Sequence, residues 1–394
     1  MRRALVCLVP LAALLLALLS GGCGSEPQRL DSPRIGQAGT ESNAPQQLGF
    51  PAFATKNTTR VGGADPIADA AAVARAVFPG GAPGTQPRAV VLADQRDWQA
   101  GLAAALLMSA PLRAPLLLSD GGNLPAASAE ALDQLAPTGA SELGGAQVVR
   151  IGAAPAPGGY RSTTIAGDDP SALAAAIDRL QSAAVGHASR AVAIVSADDP
   201  AFAMPAAGWA AKTGNPLLFV HRSTIPGPTF AALQAHHRPR IYLLAPKRVI
   251  GPSVEQALSG MGTVTRIAAP DPVGSAIAFA RYRDGLDGWG IDDPGHGLVF
   301  ANASRTLDAA AAAPLSATGT YGPLLLVDRA DTLPLPVGRY LLDIQPGYTR
   351  DPARGVYNRA WLIGDESAIS LPVQSRIDSL LEIAPIQTDA NAIR

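Results

Sequence analysis

One arrangement of landmarks is written three times along this chain, and it constrains the fold more than any other feature. An extended Thr-Arg-Val type segment turns into Asp-Pro at Thr59-Arg60-Val61 to Asp65-Pro66, at Thr163-Thr164-Ile165 to Asp169-Pro170, and at Thr265-Arg266-Ile267 to Asp271-Pro272. Asp65 and Asp169 lie 104 residues apart, and Asp169 and Asp271 lie 102 apart. A second landmark follows each time: an apolar strand, an Ala-rich helix, then a proline opening another apolar strand. Val90 to Ala93 leads to Pro115-Leu116-Leu117-Leu118, Val192 to Val195 leads to Pro216-Leu217-Leu218-Phe219, and Leu298 to Ala301 leads to Pro323-Leu324-Leu325-Leu326. A further proline stands 10, 10 and 11 residues on, in Asn123-Leu124-Pro125, Thr224-Ile225-Pro226 and Thr332-Leu333-Pro334. The third landmark is a short strand ending in a turn, at Val148 to Gly152, Ile241 to Ala245 and Ala360 to Gly364. A period this long makes each copy a small folded body that buries its apolar faces against its neighbours.

Brief apolar runs alternating with helical runs are the pattern of βαβ units, which feed parallel sheets covered on both faces. The chain is therefore expected to be α/β, with repeat units at 57–160, 161–264 and 265–386 and a tail at 387–394. Leu381-Glu382-Ile383-Ala384-Pro385 echoes Ile267-Ala268-Ala269-Pro270 and is expected to close the last unit with its own copy of the opening strand. A length of 394 residues, 47% of them hydrophobic, supplies two or three cores.

The first residues address the chain to the envelope. Arg2 and Arg3, an apolar run from Ala4 to Leu19 and the small residues Ser20, Gly21 and Gly22 read as a secretory signal over 1–22. Cys23 then stands where a lipid-modified residue would, and 23–56 reads as a lipidated Cys and flexible tether rich in Ser, Pro, Gln and Asn. Of the two cysteines, Cys7 would leave with the signal and Cys23 would be acylated, so no disulfide is expected. The expected location is extracytoplasmic, held to the outer face of the membrane by lipid alone. A net charge of -1 with both signs mixed gives no basic stripe, which excludes nucleic acid as a partner.

Residue types that carry chemistry are sparse. Asp65, Asp169 and Asp271 each precede a proline and a helix-forming run, so they read as structural N-caps, with Pro at the first helical position. Gly62 and Gly63 sit between strand and helix without a phosphate-binding motif following them. Arg60 and Arg266 occupy matching places where the middle copy has Thr164; either an anionic ligand or an acidic neighbour would suit them. Five histidines, including the adjacent His236 and His237, show no metal-ligand spacing, and neither a GxSxG elbow nor a carboxylate pair for hydrolysis is present. No catalysis, metal or cofactor is expected. Trp98, Trp209, Trp289 and Trp361 read as core or interface packing.

These residues resemble a known family, the cell wall-binding repeat type 2 proteins. Arg60-Val61-Gly62-Gly63-Ala64-Asp65 is similar to the opening of that repeat, Leu307-Asp308-Ala309-Ala310-Ala311 to its helix, Ala114-Pro115-Leu116-Leu117-Leu118 to its apolar strand, and Leu362 to Ser370 to its end. The segment before Cys23, Leu19-Ser20-Gly21-Gly22, is similar to a bacterial lipobox. The resemblance implies three flavodoxin-like or Toprim-like modules in a pseudo-threefold arrangement that bind an anionic cell-wall polysaccharide or peptidoglycan-linked polymer without catalysis. Arg60, Arg266, Lys247, Arg248 and Arg305 are the candidate polymer contacts. The sequence departs from the repeat where Pro66 follows Asp65 and where Ala100 and Met204 stand near the helix Asp position. The pattern also allows a lipid-anchored solute-binding protein, which would need two lobes around an apolar pocket.

Overall fold

Twelve of the described strands group by fours in one repeated order, and one apolar core runs through all three groups. In the computed structural model, which describes residues 52–318 and 322–386, the first sheet runs β4 (Leu116–Ser119), β3 (Val90–Asp94), β5 (Val148–Ile151), β6 (Ser162–Ile165). The second runs β8 (Leu217–Val220), β7 (Ala191–Ser196), β9 (Arg240–Leu243), β10 (Thr263–Arg266). The third runs β12 (Leu324–Val327), β11 (Gly297–Asn302), β14 (Arg359–Ile363), β2 (Thr58–Val61), and adds β1 (Ala52–Ala54) antiparallel to β2. All pairings within each group of four are parallel. The proline-opened strands are buried throughout, as continuous Leu and Phe runs require when helices cover both faces.

The strand pairing corrects the expected boundaries. The second and third Thr-Arg-Val type segments are each the fourth, edge strand of the sheet before them, so the first sheet crosses the break at 160 and 161 and the second crosses that at 264 and 265. The first such segment has no preceding sheet and instead completes the third, with Leu362 in register with Arg60 and Ile363 with Val61. The expected closure by Leu381 to Pro385 does not occur. Leu381 ends the helix Leu371–Leu381, and β15 (Ala384–Pro385) pairs with β13 (Gly347–Tyr348), because Thr58–Val61 already holds the place beside β14. The tether reading over 23–56 also ends early: residues 52–54 form β1, Thr55 N donates to Thr58 O, and Lys56 pairs with Glu382. The signal, Cys23, most of the tether and the tail lie outside the described residues.

Edge strands lead into helices that lie over the next sheet. Pro66–Val77 packs on β4 and the helix Ala126–Leu135, Pro170–Val185 on β8 and Gly227–Ala235, and Pro272–Arg281 on β12 and Leu335–Asp343. Asp65, Asp169 and Asp271 start these helices, accepting from the backbone N–H of Ala68, Ala172 and Gly274. His236 fastens the second of these joints, its Nε2 lying 2.7 Å from Asp178 and its Nδ1 3.0 Å from Ser189 O.

The helices after each first strand, Trp98–Ala104, Pro205–Thr213 and Thr306–Ala317, pack on one another. All three are rich in buried Ala, with Gly101 and Gly208 set against Leu307 and Ser316, which lets backbones approach closely. A Cβ placed on Gly208 would lie 2.6 Å from Ser316 Oγ and 3.0 Å from Ser316 Cβ. Replacing Gly208 with Val is therefore expected to pry apart two of the three helices and lower stability by about 2 kcal/mol, read as a lowered urea midpoint with an unchanged slope. An unchanged midpoint would show that these helices can separate freely.

Tryptophans serve these joints. Trp209 is fully buried with Nε1 donating to Asp287 O at 2.8 Å, and Trp98 meets Phe219 of the second sheet edge to face at 5.7 Å.

Candidate functional site

Open parallel sheets bind ligands outside the carboxyl ends of their strands, where the strand order reverses. In these sheets that place lies between the loops after the first and third strands, and it collects several of the candidate residues. Arg305 follows β11, Asp365 and Glu366 follow β14, and Lys247 and Arg248 follow β9.

Arg60 and Arg266 are withdrawn from any ligand. Arg60 is 7% exposed and grips the loop after β14, donating through Nη1 to Gly364 O (2.9 Å) and Asp365 O (2.7 Å) and through Nη2 to Ile369 O (2.5 Å). Its Nε and Nη2 also donate to Gln374 Oε1, at 3.0 and 2.9 Å. Arg266 repeats this clamp one sheet earlier, with Ala245 O and Ile250 O (3.1 Å) as the carbonyls and a two-point pair to Glu255 at 3.2 and 3.0 Å. The pairing with Arg266 holds the Glu255 carboxyl below its ordinary range. Both arginines tie the fourth strand to the helix that follows the third strand, Pro252–Ser259 or Leu371–Leu381. The first sheet links β5 to β6 directly through 152–161, without such a helix, and there the arginine is replaced by Thr164. The candidate polymer role of Arg60 and Arg266 is corrected to this internal one, since their planar forks are filled by protein acceptors.

Arg305 is drawn into a buried charge cluster. Asn302 at the end of β11 fixes the loop by donating to Ala368 O at 2.8 Å, and Arg305 N–H bonds Asn302 O at 2.9 Å. The guanidinium then reaches the segment after β2, donating to Ala64 O at 3.2 Å and pairing with Asp69, whose other oxygen accepts Gly63 N–H at 2.6 Å. That bond occupies the Gly62-Gly63 turn from within; a Cβ on Gly62 would sit 2.1 Å from the Asp69 carboxylate. Asp308, one helical turn beyond Arg305, has Oδ2 2.8 Å from Arg305 Nε, but off line for a hydrogen bond. Asp69 and Asp308 are both fully buried. Burial pushes Asp308 up to about 9, reinforced by the neighbouring Asp69 charge. Asp69 is also raised by burial, yet Arg305 and Gly63 N–H favour its ionised form. One proton thus stays in the pair at neutral pH, on Asp308, with Asp69 ionised against Arg305. Only the edge of Arg305, 15% of its side chain, meets solvent.

Lys247 and Arg248 are exposed. Arg248 donates to Pro270 O at 2.7 Å and lies over the Phe202 ring, while Lys247 makes no hydrogen bond or ion pair among the described residues. Across the strand ends His221 Nδ1 is 2.7 Å from Asp198, which also accepts Arg222 N–H. The matching loop of the third sheet carries Asp365 and Glu366 instead, so the basic pair is not repeated at this end.

At the amino ends of the strands two clefts recur that the sequence did not flag. One, of about 650 Å³, opens at the second sheet beside Arg190, Arg240 and Asp287; the other, of about 610 Å³, opens at the third beside His296, Arg359 and Tyr357. The signal available in sequence was a basic residue directly before a first strand, as in Arg190 before β7 and His296 before β11. Among the described residues no three His, Cys, Asp or Glu side chains gather as a metal site, and no helix is long and apolar enough to cross a membrane.

No family model matches the chain, and no curated protein matches it in sequence. Among solved structures it is similar to Cwp8 from Clostridium difficile, at a TM-score of 0.64 and 17% identity over 83% of this chain and 52% of that one. It is also similar to Cwp6 from Clostridium difficile, at 0.64 and 15% over 83% of this chain and 50% of that one. Both are cell wall proteins. The chain spans about half the length of these structures, and at such identity what they share with it is the α/β fold.

Proposed function

We propose that this chain is a non-catalytic protein of the cell envelope, held to the membrane through acylated Cys23, that binds an anionic wall polymer. The observation that carries the reading is the fold in common with two cell wall proteins, Cwp8 and Cwp6; it is an analogy of fold, and the sites must supply the rest. Two features of the chain support it. The residues before Cys23 resemble a lipobox, and Lys247 and Arg248 stand exposed at the carboxyl end of the second sheet, where anions approach without first displacing an internal partner of Lys247. A solute-binding lipoprotein would instead place its ligand between two lobes, whereas the described residues form three like sheets.

Purified chain is expected to co-sediment with isolated wall polymer and to be released as ionic strength rises from roughly 0.05 to roughly 0.5 M. Exchanging Lys247 and Arg248 together for Ala is expected to weaken sedimentation by about fivefold with no change in thermal midpoint. No sedimentation at low salt would defeat the wall-binding reading; sedimentation unaltered by the double exchange would remove this end of the sheet from it.

A further inference from the structure

The two clefts at the amino ends of the second and third sheets open at matching strand ends. Strand register aligns Arg240 with Arg359, each opening a third strand, and aligns Ala191 with Gly297, each opening a first strand. The residues just before those first strands, Arg190 and His296, are therefore equivalent. One wall is equivalent too, formed by the ends of Pro205–Thr213 and Thr306–Ala317, while the other differs: the end of Pro170–Val185, which covers the second sheet, lines one cleft, and the end of Pro66–Val77, which covers the first sheet, lines the other. We propose that these clefts are two subsites for acidic saccharide residues of one polymer, each binding an acid group on a solvent-facing arginine.

Each cleft holds one basic group that is engaged and one that is not. At the second sheet Arg240 pairs with Asp287, whose other oxygen accepts from Asn215 Nδ2 at 3.1 Å, and Arg190 makes no side-chain hydrogen bond or ion pair among the described residues. At the third sheet His296 pairs with Asp293 at 3.0 Å, and it is Arg359 that makes none. The unengaged cation has changed places between copies, yet each cleft keeps one. The equivalent residue in the first unit, Arg88, is spent on Glu142 and Pro111 O, so no third subsite is assigned.

The rest of the wall selects against a bare inorganic anion. Helix carboxyl ends face both clefts, and their free carbonyls carry partial negative charge that repels an anion but accepts from hydroxyls. In the second cleft a buried side chain adds a specific acceptor. Gln181, 2% exposed, donates through Nε2 to Ser109 Oγ (2.8 Å) and Ala110 O (2.7 Å), while its Oε1 has no partner. A buried carbonyl left unpaired costs free energy that a ligand hydroxyl recovers. Val77, Tyr357 and Trp361 line the third cleft, the two rings offering amphipathic faces instead. A ligand with one acid group and several hydroxyls meets all of these needs at once.

The proposal names the ligand class for the envelope reading and takes from it only the source of the polymer. Calorimetric titration of the purified chain with a tetragalacturonate probe is expected to show two sites. Arg190→Gln and Arg359→Gln should each remove one site, and the double variant both. Both residues are exposed and unpaired, so the thermal midpoint should hold. For wall polymer, linkage of two subsites makes the double variant about tenfold weaker or more, with each single variant milder. No uptake of the probe, or uptake unaltered in the double variant, overturns the subsites, and continued polymer sedimentation would then leave the envelope reading standing. Equal uptake of a neutral galactose tetrasaccharide overturns the acidic class. Probe binding lost in the variants, with no polymer sedimentation by the native chain, upholds the subsites and removes the wall as their source.

Discussion

Replacing Arg60 with Ala is expected to cost about 4 kcal/mol of stability, because it strands a buried cluster of acceptors in one step. Gly364 O, Asp365 O, Ile369 O and Gln374 Oε1 all lose their donor, and β2 loses its hold on the loop after β14. Arg60→Lys should recover little, since an ammonium cannot reach four acceptors in a plane. The same exchange at Arg266 is expected to cost only about 2 kcal/mol, because its partner Glu255 sits where water can replace the lost bonds. Urea denaturation measures both, and hydrogen exchange over Ala360 to Gly364 should rise in the Arg60 variant before the other sheets respond. Equal costs at the two positions would break the clamp account.

Asp308→Asn is expected to flatten the pH dependence of stability between about 4 and 9 while leaving the fold intact. Asp308 titrates near 3.8 in the unfolded chain and at about 9 in the folded one. Across that window the native state keeps a proton that the unfolded state has released, so stability is fully present below the lower value and falls as pH rises. One such group contributes a slope of up to about 1.4 kcal/mol per pH unit. An amide removes the titration and keeps the shape, so the variant should gain on the native chain as pH climbs from about 5 to about 8. Asp69→Asn should do the opposite, costing about 3 kcal/mol at neutral pH, because the ionised partner of Arg305 is lost from a buried site. Thermal melts of the three proteins at several pH values decide it; parallel curves for native and Asp308→Asn chains would mean Asp308 is already ionised.

Local features were plain in the sequence, and pairings between distant segments were not. Asp65-Pro66, Asp169-Pro170 and Asp271-Pro272 announce helix starts because cap chemistry is settled within four residues. The Leu-rich runs announce central strands because burial on both faces leaves no polar position. That Thr58–Val61 belongs with Ala360–Ile363 has no local mark: an edge strand reads alike whether it ends one sheet or opens the next. Arg60 and Arg266 stood out as a matched pair, but matching alone cannot separate a ligand contact from a clamp; the loop carbonyls gathered around them do. Arg190 and Arg359 escaped notice because neither lies within a recurring landmark and their equivalence needs strand register: Arg190 answers to His296, and Arg359 to Arg240.

Completing the third sheet with Thr58–Val61, from the start of the described residues, also sets the order of assembly. Arg60 and Gln374 are 314 residues apart in sequence, so a nascent chain must carry Thr58–Val61 without its partner until nearly all of the protein has been made. Contacts of such long range are slow to form and leave a bare strand edge on offer meanwhile. Late joining of Thr58–Val61 to Ala360–Ile363 follows from the architecture itself.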